Sequence, residues 1–345
     1  MARDFRRQAD AAMDFVAASS RSFDIPTDSV YDHLLLGLEY QSSVGVGQDN
    51  SGPFDAAPWT LIKRIELVAN GSDTIKSYDG AMLHALNYFD DMGYSPTEDL
   101  VITVDSTNTG NIRLQLQLDL ASRDMNEPQT TYLDARKLTN IELRITFGAG
   151  LADIYTTAQG ALDTFRLTPY THEILDLATE SRFSVNEEIM TQESFPANTR
   201  TDGRFKQNVA NFYRGWVIET RDQNARAVVD RFLKFTVKEN GTFSRRVWEA
   251  DQLKIYASRM YQGLVGIGLG SAPGLPTTAT GGPTAGRSGG SRSGLYYLNI
   301  AEDGSAESLL NSVGLSDVSI YADWDGANVT DVVRICSRRW VPNVR

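Results

Sequence analysis

Residues 62–77 read IKRIELVANGSDTIKS, and residues 231–248 read RFLKFTVKENGTFSRRVW. Each opens with a strand-like run, carried by Ile62, Ile65, Leu67 and Val68 in the first and by Phe232 and Phe235 in the second. Each run ends on Asn-Gly, at 70–71 and at 240–241. Asn-Gly is a strong hairpin signal, because both central residues of a type I′ turn need positive φ. A return strand follows, over 74–77 and over 242–248. A short helix comes next in both. Met82, Leu83, Leu86 and Phe89 have helical spacing in the first copy, and Leu253, Tyr256, Ala257 and Met260 in the second.

Two further stretches repeat in the same order. LTNIELRITF at 138–147 resembles LSDVSIYADW at 315–324, and DTFRL at 163–167 resembles DVVRI at 331–335. The turns are offset by 170 residues and these stretches by 177 and 168. A duplicated module accounts for all three matches. Other strands are expected at 34–41, 100–105, 112–120, 162–167, 295–300 and 332–337. In 112–120, Ile112, Leu114, Leu116, Leu118 and Leu120 alternate with Arg113, Gln115, Gln117 and Asp119, the pattern of a strand with one wet face. Many short strands, one helix per module and no strand–helix–strand alternation predict an all-β fold. The sandwich that suits about eight strands is the jelly roll, so the expectation is two tandem jelly rolls, a double jelly roll.

The expected domains are an arm at 1–25, a first roll at 26–175 and a second at 176–345. A Gly/Ser/Thr/Pro-rich stretch, 263–294, has no counterpart in the first half and reads as a long exposed loop. The 345 residues are 41% hydrophobic, enough for two ordinary cores. A net charge of −11 argues against a generic nucleic-acid-binding surface, so no specific nucleic acid is expected as a partner. The single cysteine, Cys336, excludes an intrachain disulfide and reads as a buried thiol. No apolar span is long enough for a transmembrane helix, and Asp4, Asp10 and Asp14 stand where a secretion signal would be apolar.

Residues 1–19 read as an amphipathic helix, with Phe5, Ala9, Ala12, Met13 and Val16 on one face and Arg3, Arg6 and Arg7 at its start. Either its arginines meet acidic headgroups or nucleic acid, or the helix packs on its own or a neighbouring subunit. No catalytic constellation stands out. His33, His84 and His172 are far apart in sequence and form no metal-type pair. Asp90-Asp91, Glu187-Glu188, Asp323 and Asp325 read as solvated acids, with structural calcium left open and unassigned. The phosphate-loop-like run at 281–288 and the G-x-S-x-G run at 286–290 lack a strand-to-helix turn and follow from glycine abundance. Asn70, Asn240 and Asn328 begin formal glycosylation sequons, the first two already explained as turns.

The stretch 62–77 with the helix at 81–89 resembles the first module of double-jelly-roll major capsid proteins of tailless icosahedral viruses. It looks most like the small bacteriophage members, the corticovirus-like and finnlakevirus-like coats. The resemblance is best over 55–170 and looser over 205–340. It implies a structural virion protein and no enzyme. It implies a homotrimer whose six rolls make a pseudo-hexagonal capsomer, contacting neighbouring capsomers, penton and minor capsid proteins. Such a protein is made in the host cytoplasm and resides in the virion. The arm would lie inside the shell, with Arg3, Phe5, Arg6, Arg7 and Met13 facing an internal lipid membrane or the genome. No cofactor is implied. The 263–294 loop departs from the family pattern. The alternative reading is a receptor- or carbohydrate-binding tandem sandwich, with Trp59, Trp216 and Trp324 as its candidate platforms. A third is a glycan-cleaving enzyme, which needs its acids to converge in a pocket.

Overall fold

The two Asn-Gly turns fold alike down to their side-chain partners. In the computed structural model, which describes residues 3–8, 12–90, 104–105, 110–175, 184–222, 228–260 and 294–342, Asn70 and Gly71 have φ of 51° and 80°, and Asn240 and Gly241 of 49° and 73°. These are the left-handed values a type I′ turn requires. The Asn70 side-chain oxygen accepts the backbone N–H of Thr139 at 2.9 Å, and that of Asn240 accepts Ser316 N–H at 2.9 Å. Thr139 and Ser316 belong to the two look-alike stretches. Each duplicated turn is therefore pinned by the duplicated strand beside it.

The first half supplies β1 (Arg3–Gln8), β2 (Ser20–Ile25), β3 (Val30–Ser43), β4 (Ile62–Ala69), β5 (Asp73–Tyr78), α1 (Gly80–Asp90), β6 (Gly110–Asp119), β7 (Ile141–Phe147) and β8 (Ala161–Leu175). The second supplies β9 (Ser184–Ser194), β10 (Arg200–Gln207), β11 (Phe212–Arg221), β12 (Phe232–Glu239), β13 (Phe243–Glu249), α2 (Ala250–Met260), β14 (Leu295–Asn299), β15 (Val318–Trp324) and β16 (Val332–Pro342). Pairing orders the first half as β1-β8-β3-β6 over β5-β4-β7-β2. The second half runs β9-β16-β11-β14 over β13-β12-β15-β10, the same order strand for strand. Two antiparallel sheets so connected form a jelly roll. The chain is a double jelly roll.

The rolls are not separate beads. β5 pairs in parallel with β9, Lys76 opposite Glu188 and Ser77 opposite Ile189. This joins one sheet from each roll into a single nine-stranded sheet. Helix α1 starts where Asp79 Oδ1 accepts the Met82 N–H at 2.7 Å, an N-cap bond. Every residue of α1 from Gly80 to Phe89 is buried. The first core gathers Leu34, Leu36, Ile65, Leu67 and Leu116 with Ile141, Leu143 and Ile145 of β7. It continues into Val217, Tyr297 and Cys336 of the second roll. The second core is aromatic, built on Phe205, Trp216, Phe232, Phe235 and Trp324.

Residues 3–8 form a strand, not the start of the expected N-terminal amphipathic helix. They pair antiparallel with β8, from Arg3 opposite Leu175 to Gln8 opposite Tyr170. Met13 and Asp14 pair with the same strand. The apolar spacing suits a helix, but the free edge of β8 offers a ladder of backbone partners, and tertiary pairing overrides local periodicity. Within the expected helical arm, 1–25, the described residues 3–8 and 20–25 are instead strands of the first roll, β1 on β8 and β2 on β7. The 263–294 loop, Gly294 apart, lies outside the described residues, together with the glycine motifs inside it.

Gly203 on β10 lies against Trp324, and a Cβ there would sit 2.0 Å from Trp324 Cζ3. Gly203→Ala is expected to cost about 1–3 kcal/mol by overpacking. Urea denaturation checks it, and an unchanged midpoint would contradict the close contact.

Candidate functional site

The parallel β5–β9 junction places ionisable groups where water does not reach. Lys76 Nζ lies 2.9 Å from Glu188 Oε2, with the two side chains 0% and 2% exposed. Glu188 Oε1 also accepts from Arg338 Nε at 3.0 Å and from Arg214 Nη2 at 3.3 Å. Arg338 reaches on to Asp90 Oδ1 at 2.5 Å, and Arg214 to the partly exposed Asp124. Tyr297 donates its hydroxyl to Asp124 Oδ2 at 2.7 Å, and the Arg338 guanidinium sits over the Tyr297 ring. Lys76, Asp90 and Asp124 come from the first roll, and Glu188, Arg214 and Arg338 from the second. Three cations thus meet three carboxylates across the seam. An isolated buried charge costs several kcal/mol, so only a matched set is tolerated here.

The protonation behaviour follows from burial set against those partners. Burial pushes Glu188 up, but Lys76, Arg338 and Arg214 together hold it below the ordinary carboxylate range. Asp124 is held low in the same way, chiefly by Arg214 and Arg338 against burial. Asp90 goes the other way, its carboxyl raised by burial to about 7, with Arg338 opposing the rise. The Cys336 thiol is pushed up by burial. A second ionic clamp crosses the seam nearby. Arg334 of β16 meets Asp79 at 2.8 Å, and Arg221 of β11 donates to the Asp55 carbonyl at 3.3 Å.

Pairing of β3 with β8 brings together two histidines that are far apart in sequence. His172 lies opposite His33, and their rings stack with centroids 4.5 Å apart and planes 16° from parallel. Asp32 Oδ1 lies 2.7 Å from His33 Nδ1 and 2.6 Å from His172 Nδ1. Arg123 Nη2 sits 2.7 Å from His33 Nδ1, while its Nε bonds Asp119 at 2.7 Å. Burial lowers the His33 pKa, with Asp32 pulling against it. The sequence spacing, which offers no metal-type histidine pair, gave no sign of this meeting. One ligand-type atom each from Asp32, His33 and His172 falls within 4.8 Å of the others. A bound ion must lie near the plane of each ligating ring, and two stacked rings cannot both offer that. Arg123 adds positive charge at the same spot. The arrangement is a hydrogen-bonded cluster, and with a single carboxylate it does not match the oxygen-rich coordination of calcium. His84 is buried in α1.

The other candidates scatter. Glu187 pairs with Arg339, Asp323 accepts the Asp202 N–H at 2.7 Å, and Asp325 accepts the Gly326 N–H at 2.7 Å. Asp91 lies outside the described residues. Trp59, Trp216 and Trp324 are all buried, so none offers a surface platform. Arg3, Phe5 and Arg6 are fixed on β1. Arg7 is engaged by Glu173 at 2.9 Å and Asp28 at 3.3 Å, and Met13 packs on the first core. A cleft of about 210 Å³ lined by Trp248, Leu253 and Tyr297 is smaller than the roughly 300–1,000 Å³ of ordinary ligand pockets.

The chain superposes on the major capsid protein of Sulfolobus turreted icosahedral virus with a TM-score of 0.74, at 13% identity, over 99% of this chain and 97% of that one. The fold is that of the double-jelly-roll major capsid proteins. The major capsid protein of bacteriophage PM2 superposes with a TM-score of 0.61, at 9% identity, over 99% of both chains. The capsid of the virus PBCV-1 gives a TM-score of 0.60 at 8% identity, over 99% of this chain and 94% of that one. No sequence-family profile and no curated protein sequence matches. Architecture is shared at full length while sequence is not.

Glu188→Gln leaves Lys76 buried without its counter-charge and is expected to cost about 3–5 kcal/mol. Lys76→Met combined with Glu188→Leu keeps the seam neutral and should recover most of that loss. A thermodynamic cycle by urea denaturation tests this, and additive losses would refute it. Asp90 supplies a pH signature. Its folded carboxyl, at about 7, binds a proton between about pH 7 and pH 4 where the unfolded chain does not. Acid over that window therefore favours the fold through Asp90. Glu188 and Asp124 lend stability above about pH 4.5 that is lost as pH falls through their lower folded values. Relative to Asp90→Asn, the wild type should gain stability from pH 8 to pH 5, and parallel stability curves would show the assignment to be wrong.

Proposed function

We propose that this chain is a major capsid protein, a structural subunit of an icosahedral virion shell. The observation that carries the reading is the superposition with a TM-score of 0.74 over almost the whole of both chains. The internal architecture supports it. Two rolls of identical strand order are fused through one continuous sheet, so a single chain already contains two tiles in fixed relation. Self-association through such tiles is the work of a shell subunit. In the finer form of the proposal, three chains place six rolls around a ring as a pseudo-hexagonal capsomer. Neighbouring capsomers, penton and minor capsid proteins are then its partners, and an internal lipid membrane is a further one. The strand pairing of Arg3–Gln8 and the ion pairs of Arg7 leave the membrane with less support than the sequence suggested. The carbohydrate-binding alternative loses its candidate platforms to the core.

The purified chain is expected to sediment as a species of three times the chain mass, and electron microscopy should show hexagonal particles or shells. A protein that stays monomeric at all salt and protein concentrations would overturn the reading.

A further inference from the structure

Equivalent surfaces of the two rolls have unequal surroundings. Helices α1 and α2 occupy the same place in the strand order, as do edge strands β5 and β13. Around α1 everything from Gly80 to Phe89 is buried, and Ile75 and Lys76 on β5 are 2% and 0% exposed. The second roll is what covers them, pairing β9 along β5 and laying Val217 and Tyr297 into the core around α1. On the second roll the same flank is exposed among the described residues. Among the described residues β13 ends its sheet with no strand beyond it. Phe243 and Val247 on β13 are 60% and 50% exposed, Leu233 on the adjacent β12 is 56% exposed, and Ile255 on α2 is 62% exposed. An open strand edge beside exposed apolar side chains is a surface for strand addition.

The first roll has the matching piece. In the second roll the strand that docks is β9, the first strand, paired with the last strand β16. Its counterpart is β1, the first strand of the first roll, paired with β8. Among the described residues β1 also ends its sheet with no strand beyond it. Inside one chain, then, a first-strand edge meets a return-strand edge, and one copy of each type of edge is left over.

We propose that the β13–α2 flank of one copy receives the β1 edge of a second copy of this chain, by parallel strand addition that repeats the β5–β9 junction between molecules. The inference rests on the capsid reading and gives that assembly its seam. The contact is head-to-tail, so it propagates until the rotation closes a ring. The register can be assigned. Gln8 pairs with Tyr170 as Glu188 pairs with Arg338, and Tyr170 and Arg338 stand at the 168-residue offset of the repeat. Gln8 is thus the counterpart of Glu188. Arg246, 170 residues after Lys76, is the counterpart of Lys76. Where the internal seam sets Lys76 against Glu188, the external one sets Arg246 near Gln8. The external seam therefore lacks the buried ion pair of the internal one and relies on apolar contact and backbone pairing.

Two measurements test this on the full chain. Gln8→Cys combined with Arg246→Cys should form disulfides between chains under mild oxidation of the assembled protein, with a ladder ending at the closed ring. Neither single variant should do so. Val247→Glu and Ile255→Glu, at exposed positions, should leave the melting temperature unchanged while weakening association at least ten-fold. Crosslinking by Arg246→Cys alone would reveal a two-fold contact between β13 strands and overturn the proposal. Trimers that form normally in the glutamate variants, without the Gln8–Arg246 crosslink, would overturn this seam yet leave the capsid reading standing. A chain that never self-associates would overturn both.

Discussion

Lys76 and Glu188 sit opposite each other on two parallel strands that belong to different rolls, and the rest of the molecule is arranged around that contact. A parallel pair requires the chain to cross over between its members. Here the crossover from β5 to β9 carries α1, β6, β7 and β8, the remaining elements of the first roll. The charges make the arrival specific. With Arg214, Arg338, Asp90 and Asp124 they form a set of three cationic groups and three carboxyl groups shared equally between the rolls. A shift of β9 by one residue would turn Glu188 to the other side of the sheet and leave several buried charges unmatched. Backbone pairing alone would tolerate such a slip far better. The charges contribute register more than raw stability.

This junction also explains why two copies of one module came to differ. In the first roll α1 is buried from Gly80 to Phe89, and Ile75 and Lys76 of β5 are buried beside it. In the second roll part of the same flank meets solvent, at Phe243, Val247 and Ile255, and α2 carries Asp251 and Gln252 where α1 has Ala81 and Met82. The strand order stayed fixed while the environment of each flank diverged. The stacked His33–His172 pair with Asp32 and Arg123 is a separate local arrangement within the first roll.

Much of the architecture was legible because it is written in local chemistry. The Asn-Gly turns demand positive φ, the 112–120 run alternates with period two, and Met82, Leu83, Leu86 and Phe89 mark a helix. Each of these signals depends on neighbours within a few residues. Strands β9, β10 and β11 were not legible, since β9 and β10 mix charged and apolar residues without clean alternation and β11 is buried on both faces. The N-terminal segment was misread for a related reason. Its spacing suits a helix equally well, and only the free edge of β8, over 160 residues away in sequence, decides for a strand.

The sequence by itself determined a duplicated all-β chain with two turn-and-helix modules and no disulfide, because these follow from backbone conformation, periodicity and residue counts. The tertiary structure alone decided that Lys76 meets Glu188, that His33 meets His172, and that three tryptophans lie in the core. Each of those facts joins residues that no local rule connects. It also decided that Val247 and Ile255 are exposed while Lys76 is buried, since exposure depends on what folds against a surface and not on the residues that make it.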